Sequence, residues 1–380
     1  TKKISKMQAH KMKEADIAKL KSLRYPDGLI TAMAELSRNC AQQIFIIDNS
    51  AVMKKDGGIV LKKEEDHKPH KEGFQDCTRW EELSECVRAH IRLSAAFKIP
   101  SSFRFLNDPS KNFGVCQEGE KLSIEAQVHR GLEALQGTKP HGAAPLANAI
   151  FHLTKEVEGM KEELSHGGRR VSIILCTDGV PSDTTAGVFV DHLKLLEGLP
   201  VQVVVRLCTN EPSVVDFYNT IDKELKLPMD VLDDFQGEAV EICKVNPWLT
   251  YALPIHRARE MGFNSKVLDL LDETALTKQE MMEFCKILFG KDQIGRGPEA
   301  GADWEGFKDH VKPLIEAEQL QWDPIEEEQK PLVDFSLIEN PGNKMHKMRK
   351  MRQKLKLRWL GGGIPVVFPV VGNVVGNVVE

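Results

Sequence analysis

The sequence lacks several signatures of enzymes and secreted proteins. Its eight cysteines include no Cys-x-x-Cys pair, and several lie inside apolar runs, which is typical of reduced, buried thiols. It has no glycine-rich phosphate loop, and no nucleophile can be matched with a base. The first residues, TKKISKMQAHKMKE, contain no apolar core of the signal-peptide type. We therefore expect an intracellular, cytoplasmic protein, with an organelle lumen reached after removal of a targeting peptide as the alternative.

Charge is distributed unevenly along a chain of otherwise ordinary composition. The 380 residues are 41% hydrophobic and 28% charged, which leaves enough apolar surface for a globular core. The net charge is -5, with +6 in residues 1–24 and +7 in residues 344–380, so the residues between them carry -18. The basic ends are therefore suited to an anionic partner or to the acidic body of the chain itself.

Aliphatic strands alternate with amphipathic helices from residue 43 onward. The runs QIFIID, RRVSIILCTDG and PVQVVVRLCT are apolar almost throughout, as in parallel strands buried on both faces. A helix is predicted over residues 79–97, and the charged run at 54–73 is predicted to be a loop. The pattern predicts an α/β fold, with a doubly wound, mostly parallel sheet flanked by helices.

Composition divides the chain into four parts. Residues 1–35 are predicted to form a basic N-terminal helical arm, and residues 36–245 form the α/β domain. Residues 246–340 follow as a helical C-terminal module. Residues 341–380 combine a basic amphipathic helix with a Val/Gly-rich tail.

Two of the apolar strands, far apart in sequence, each end in an aspartate. Asp48 is followed by Ser50, and Asp178 lies in TDG. Because parallel strands end at one edge of a doubly wound sheet, we expect the two carboxylates to face each other across a switch point. Oxygen clusters of this kind bind hard cations such as Mg²⁺. The alternative is that both carboxylates cap loops by accepting backbone N–H bonds.

Three segments together resemble a known family. IFIIDNSAV, AAPLANAI and IILCTDGVPSD are similar, in order and spacing, to the ligand-bearing segments of a von Willebrand factor A domain of the intracellular eukaryotic type. The resemblance extends over about residues 40–245, including the helix RWEELSECVRAHIRLSAAF and the strand FRFLND. It implies a binding domain that presents the carboxyl ends of its strands to a partner.

The resemblance also implies a metal-ion-dependent adhesion site, and here that site is degenerate. Asp48, Ser50 and Asp178 match family ligands, whereas Val52 and Ala144 stand where the family has hydroxyl ligands. Losing two direct oxygen ligands predicts that the chain has no cofactor, with weakly bound Mg²⁺ as the alternative. Thr138 and Ser182 are the candidate substitutes for the lost hydroxyls.

Two other chemistries fit the residues less well. A haloacid-dehalogenase-like phosphatase also places an aspartate at the end of its first strand, but Ser50 stands where its general acid is required. His67, His70 and Cys77 share one polar region and could ligate zinc, although their spacing matches no standard zinc finger.

The C-terminal segment KMHKMRKMRQKLKLRWL places methionines at helical spacing among basic residues. Such a helix could bind an anionic membrane, a nucleic acid or a partner protein, or it could dock on the acidic body. The predicted partner- or anion-binding residues are Lys344, Lys347, Arg349, Lys350, Arg352, Lys354, Lys356, Arg358 and Trp359. The Val-rich residues 361–380 could contact a membrane or extend a partner's sheet.

These features favour a non-catalytic role. We expect a scaffold subunit that binds protein partners within a larger intracellular assembly, with no small-molecule substrate. The alternatives are a Mg²⁺-dependent ligand-binding domain, a scaffold held at a membrane by its C-terminal tail, and, more remotely, the phosphatase.

Overall fold

The computed structural model describes residues 12–63, 72–209, 211–263 and 265–360, with side chains up to residue 355 in the last helix. His67 and His70 of the predicted zinc site, residues 1–11 of the basic arm and the Val-rich tail at 361–380 lie outside these ranges. Among the helices that the structure describes, none is both long and apolar enough to cross a membrane.

Ten strands occur in the described ranges. They are β1 (Cys40–Ile47), β2 (Asp56–Lys63), β3 (Glu72–Thr78), β4 (Ser101–Phe105), β5 (Phe113–Val115), β6 (Arg170–Thr177), β7 (Val201–Leu207), β8 (Met229–Leu232), β9 (Gln321–Asp323) and β10 (Glu328–Lys330).

The helices lie before, between and after these strands. They are α1 (Glu14–Ser22), α2 (Asp27–Ser37), α3 (Arg79–Phe97), α4 (Ile124–Gln136), α5 (Leu146–Glu158), α6 (Lys161–His166), α7 (Ala186–Lys194), α8 (Pro212–Glu224), α9 (Phe235–Val245), α10 (Leu253–Glu260), α11 (Lys266–Glu273), α12 (Lys278–Phe289), α13 (Lys291–Ile294), α14 (Trp304–Ala317), α15 (Ser336–Glu339) and α16 (Gly342–Leu360).

Six strands form the central sheet in the order β5-β4-β1-β6-β7-β8. Every neighbouring pair is parallel except β4 and the edge strand β5. The predicted fold class is therefore confirmed. In this order the chain changes direction across the sheet between β1 and β6, which is the topological switch point where α/β proteins form their clefts.

Each face of the sheet has its own apolar layer, because side chains alternate along a strand. Ile44 and Ile46 of β1 belong to a cluster with helices α5, α7 and α8, whereas Phe45 and Ile47 belong to a cluster with α3. Further along the second face, the sheet contacts α10: the Gln43 side-chain amide donates to Met261 O at 2.9 Å. The fold therefore has helical layers on both faces.

A third apolar cluster crosses the sequence boundary predicted at residues 245/246. It joins α2 and the C-terminal end of α3 to α9, α10, α12, α14 and α16. Trp248, Phe284 and Phe307 are among its fully buried side chains. The helices after residue 246 thus share a core with the N-terminal helices.

The charged run predicted to be a loop contains a hairpin. Strands β2 and β3 pair antiparallel, and Ile59 and Val60 are buried. Glu82 of α3 accepts a hydrogen bond from the backbone N–H of Ile59 at 3.0 Å. For residues 56–63, 72 and 73 the loop prediction was wrong, because lysines and glutamates around this short apolar core dominate the composition of the segment; residues 64–71 lie outside the described ranges.

Candidate functional site

Asp48 lies directly after β1 and is completely buried. Its Oδ1 accepts the backbone N–H of Ser50 at 2.9 Å, and its Oδ2 accepts the hydroxyl of Thr177 at 2.8 Å. Burial, together with the nearby charge of Asp178, raises the pKa of Asp48, and these hydrogen bonds oppose the rise only in part. The two aspartates therefore interact across the switch point, as the sequence predicts.

Asp178 is ion-paired with Arg79. The distance from Arg79 Nη1 to Asp178 Oδ2 is 2.6 Å, and the two side chains are 13% and 3% exposed. Arg79 is the first residue of α3, whose start is fixed by a capping box between Thr78 and Glu81. The chain itself thus supplies a cation to the acidic end of the strands.

The two positions that depart from the family pattern have different surroundings. Val52 lies in a 3-10 turn and is 41% exposed. Ala144 is buried, and its backbone N–H donates to the Ser182 hydroxyl at 2.7 Å. The Ser182 hydroxyl therefore stabilises a loop. The Thr138 hydroxyl donates to Ala134 O at 2.8 Å, at the end of α4. Both substitute hydroxyls bond to the backbone.

The residues at the switch point do not fit a divalent cation. Mg²⁺ needs about six oxygen ligands in near-octahedral geometry. Both oxygens of Asp48 already accept hydrogen bonds, and Asp178 is paired with Arg79. The Ser50 hydroxyl is buried and has no hydrogen-bond partner in the described part of the chain. The Ser50 hydroxyl and the second oxygen of Asp178 are then the oxygens left among these three residues, far fewer than the roughly six that Mg²⁺ takes.

The loops at the carboxyl ends of the strands, here called the rim, are bonded to one another through Asn49. Its side-chain oxygen accepts the backbone N–H of Asn107 at 2.8 Å, and its amide donates to Asp108 at 3.2 Å. Its backbone carbonyl accepts the N–H of His141 at 2.8 Å. Three loops of the rim are therefore bonded together; Val52 is 41% exposed in one of them, and Val188, in the first turn of α7, is 42% exposed.

The basic helix α16 packs on the body of the protein. Met348 and Met351 are buried in the third cluster, so the methionine face is covered. Lys344 is also buried, and its ammonium group lies 2.8 Å from Asp323 and donates to Leu249 O at 3.0 Å. Lys344 is therefore bonded within the chain and is not presented to a partner.

Other cations predicted to bind partners lie on the outer face of α16. Arg349, Lys350, Arg352 and Lys354 are exposed, whereas Lys347 is ion-paired with Glu326 at 3.1 Å. The side chains of Lys356, Arg358 and Trp359 lie beyond those that the structure describes. Anion binding by the four exposed cations stays a prediction.

An ionic cluster around Glu260 was not recognised in the sequence. Glu260 of α10 is fully buried and accepts bonds from four side chains. The donors are Cys86 at 3.4 Å, His90 at 3.0 Å, Arg206 at 3.0 Å and Arg257 at 2.7 Å. Burial alone would raise the pKa of Glu260, but the charge of Arg257 and the side-chain hydrogen bonds to the carboxylate outweigh it and hold the pKa well below its usual range.

Cys86, His90 and Glu260 place potential metal-binding atoms within 4.8 Å of one another. Arg206 and Arg257 already neutralise Glu260, so a further cation would be repelled. The neighbouring Arg259 pairs with Glu238 at 2.7 Å and with Asp272 at 3.2 Å. The segment HRARE, residues 256–260, thus ties α10 to the sheet and the surrounding helices. Its charged residues lie close together in an otherwise apolar stretch, and this is the sequence feature that could have indicated the cluster.

Comparison with known proteins adds little to this geometry. No family model matches the sequence, and no curated protein matches it. Among solved structures, the manganese-loaded TRAP protein of Plasmodium vivax is similar to 51% of this chain and 69% of its own, at 12% identity and a TM-score of 0.31. A similarity this low identifies neither family nor function.

Proposed function

We propose that this chain is a non-catalytic protein-interaction subunit, with a von Willebrand factor A-like domain whose rim binds a protein partner without a metal ion. The observation that carries the proposal is the 2.6 Å ion pair of Arg79 and Asp178 beside the buried Asp48. In a metal-dependent site a bound cation balances the carboxylates and contacts the ligand. Here a guanidinium balances them.

The surface of the rim suits a protein partner. Val52 and Val188 are apolar and exposed, and Lys54 and Lys55 lie close to Val52 in sequence. Apolar contacts within a polar surround are the usual composition of a protein interface. Because Asn49 bonds its own loop to two other loops of the rim, little ordering entropy would be lost on binding.

The same bonds favour a binding role over the phosphatase alternative. A nucleophilic aspartate must be reached by its substrate, but Asp48 is completely buried and both of its oxygens accept hydrogen bonds. Ser50 offers no acid for a leaving group, because an aliphatic hydroxyl is too weak an acid to donate its proton at neutral pH.

The proposed partner belongs to a larger intracellular assembly, with a second contact at the outer face of α16. Four exposed cations there would meet an acidic surface of a neighbouring subunit. Charge reversal at Arg349 and Arg352 together should then weaken the assembly most at low salt. A nucleic acid or an anionic membrane as the partner would instead be revealed by binding of the isolated protein to that surface.

A capture experiment tests the role of the rim. Immobilised full-length protein would be incubated with an extract of its source cells in Mg²⁺ or in a chelator. We expect the same proteins to be retained in both conditions, and to be lost from Val52→Glu. The matched control is Leu320→Glu, at an exposed leucine far along the chain. Capture that required Mg²⁺, or that survived Val52→Glu, would contradict the proposal.

A further inference from the structure

A cavity of about 200 Å³ lies apart from the rim, between α1, the β2–β3 hairpin, α3 and α10. Its walls are apolar side chains contributed by elements that are distant in sequence. They include Leu20, Ile59, Leu61, Phe74, Phe235 and Leu253. Preformed apolar cavities with a few polar groups are the usual sites for small molecules.

One part of the lining carries buried charges. Arg257 and Glu82 both line the cavity, with 8% and 3% exposure. Glu260 orients the Arg257 guanidinium by accepting from its Nη1 with both carboxylate oxygens, at 2.9 and 2.7 Å. Arg257 thus places an oriented positive charge in the wall of the cavity, where it favours an anionic ligand.

Arg206 neutralises Glu82, which would otherwise repel an anion from the cavity. Arg206 is ion-paired with Glu82 and also donates through its Nε to Glu260 at 3.0 Å. Lys19 and Arg92 add two exposed cations to the lining, against one further carboxylate, Glu85. Cations outnumber acids around the cavity, so the local field attracts negative charge.

We propose that this cavity binds an amphipathic carboxylate, whose charged head meets Arg257 and whose hydrocarbon body fills the space between α3 and the β2–β3 hairpin. An apolar cavity of about 150 Å³ accommodates benzene, so this one accommodates a body of roughly eight carbons. A neutral hydrocarbon would make no use of the positive charge that Arg257 brings to the cavity wall. The proposal is independent of the partner-binding role of the rim, because no rim residue lines the cavity.

The hairpin contributes to ligand retention in this arrangement. Its strand β2 supplies Ile59, Val60 and Leu61 to the cavity and is fixed to α3 by the Ile59–Glu82 hydrogen bond. A ligand would therefore bridge the hairpin and α10. Binding should slow amide hydrogen exchange in β2, because the occupied cavity disfavours opening of the hairpin.

Calorimetry on the full-length protein with sodium octanoate and with 1-octanol tests the proposal. We expect octanoate to bind at least tenfold more tightly than octanol. Ala89→Phe, which places a ring in the cavity from α3, should weaken octanoate binding at least tenfold. The matched control is Ala317→Phe, at an exposed helical position outside the lining. Thermal unfolding of both variants establishes that they are folded.

Arg257→Gln tests the carboxylate contact separately. This variant should lose the preference for octanoate over octanol while retaining octanol binding. Because Arg257 also pairs with Glu260, the test of location rests on Ala89→Phe, which leaves that pair intact. Failure of the wild-type protein to bind octanoate, equal affinity for the two probes, or unchanged octanoate binding in Ala89→Phe would each overturn the proposal.

Discussion

The rim and the Glu260 cluster both pair carboxylates with arginine, but they do so in different surroundings. At the rim, Arg79 is 13% exposed and Asp178 has this one charged partner in the described chain. In the interior, Glu260 is fully buried and has two arginines and two histidines around it. The rim pair neutralises the surface that we propose as the partner-binding site, whereas the interior cluster holds the layers of the fold together.

The largest predicted effect is that of Glu260→Gln. Removing the carboxylate leaves Arg206 and Arg257 charged and buried without their shared partner. Breaking a buried ion pair in this way costs about 3 to 5 kcal/mol of unfolding free energy. Urea unfolding of the purified protein measures the loss. The control is Glu156→Gln, in a partly exposed pair with Arg104, and equal losses in the two variants would contradict the distinction between interior and surface.

The stability of the protein should also depend on pH through His256, which belongs to the same cluster. Burial lowers the pKa of His256 to about 4, against 6.5 in the unfolded chain. Between these values the unfolded chain binds the proton and the folded one does not, so stability is lost as pH falls. The unfolding free energy should fall by about 3 kcal/mol more in the wild type than in His256→Gln between pH 7 and pH 4. Parallel pH profiles would show that His256 does not titrate as described.

Arg79→Ala should have an intermediate effect. It leaves Asp178, which is 3% exposed, without its cation. Water can reach Asp178 through the space that Arg79 vacates. The expected loss of unfolding free energy is therefore about 1 to 2 kcal/mol. Urea unfolding at neutral pH measures this loss. Arg88→Ala, in a more exposed pair with Glu85 on the same helix, serves as the control, and a loss no larger than the control's would remove the structural role given to Arg79.

The smallest effect is expected for the surface pair of Arg104 and Glu156. Two hydrogen bonds join them, at 2.7 and 2.9 Å, but both side chains are partly exposed. A double-mutant cycle with alanine should give a coupling of about 0.5 kcal/mol that decreases in salt. A coupling as large as the effect of Glu260→Gln would mean that burial does not separate the two classes of ion pair.

Features encoded by neighbouring residues were predictable from the sequence. The predicted helix over residues 79–97 coincides with α3, because an apolar stripe and the Thr78–Glu81 capping box are local signals. The fold class followed from strands buried on both faces. The approach of Asp48 to Asp178 followed from topology, since parallel strands end at a common edge.

Features encoded by distant residues were not predictable in the same way. Arg79 precedes Asp178 by 99 residues, and nothing in its own segment indicates an ion pair at the rim. Cys86 and Glu260 are separated by 174 residues. HRARE alone is equally compatible with an exposed helix. Charged residues become structural only when the fold brings opposite charges together in the interior, so their role depends on tertiary contacts.

The most direct test of the central claim is calorimetry of the full-length protein with Mn²⁺ and Mg²⁺, comparing the wild type with Arg79→Ala and Asp178→Ala. If Arg79 replaces the metal ion, the wild type should give no saturable heat at millimolar cation, and Asp178→Ala should behave identically. Arg79→Ala frees Asp178 and should show at most weak binding. Saturable binding by the wild type that is lost in Asp178→Ala would contradict the account and make the rim a metal-dependent site.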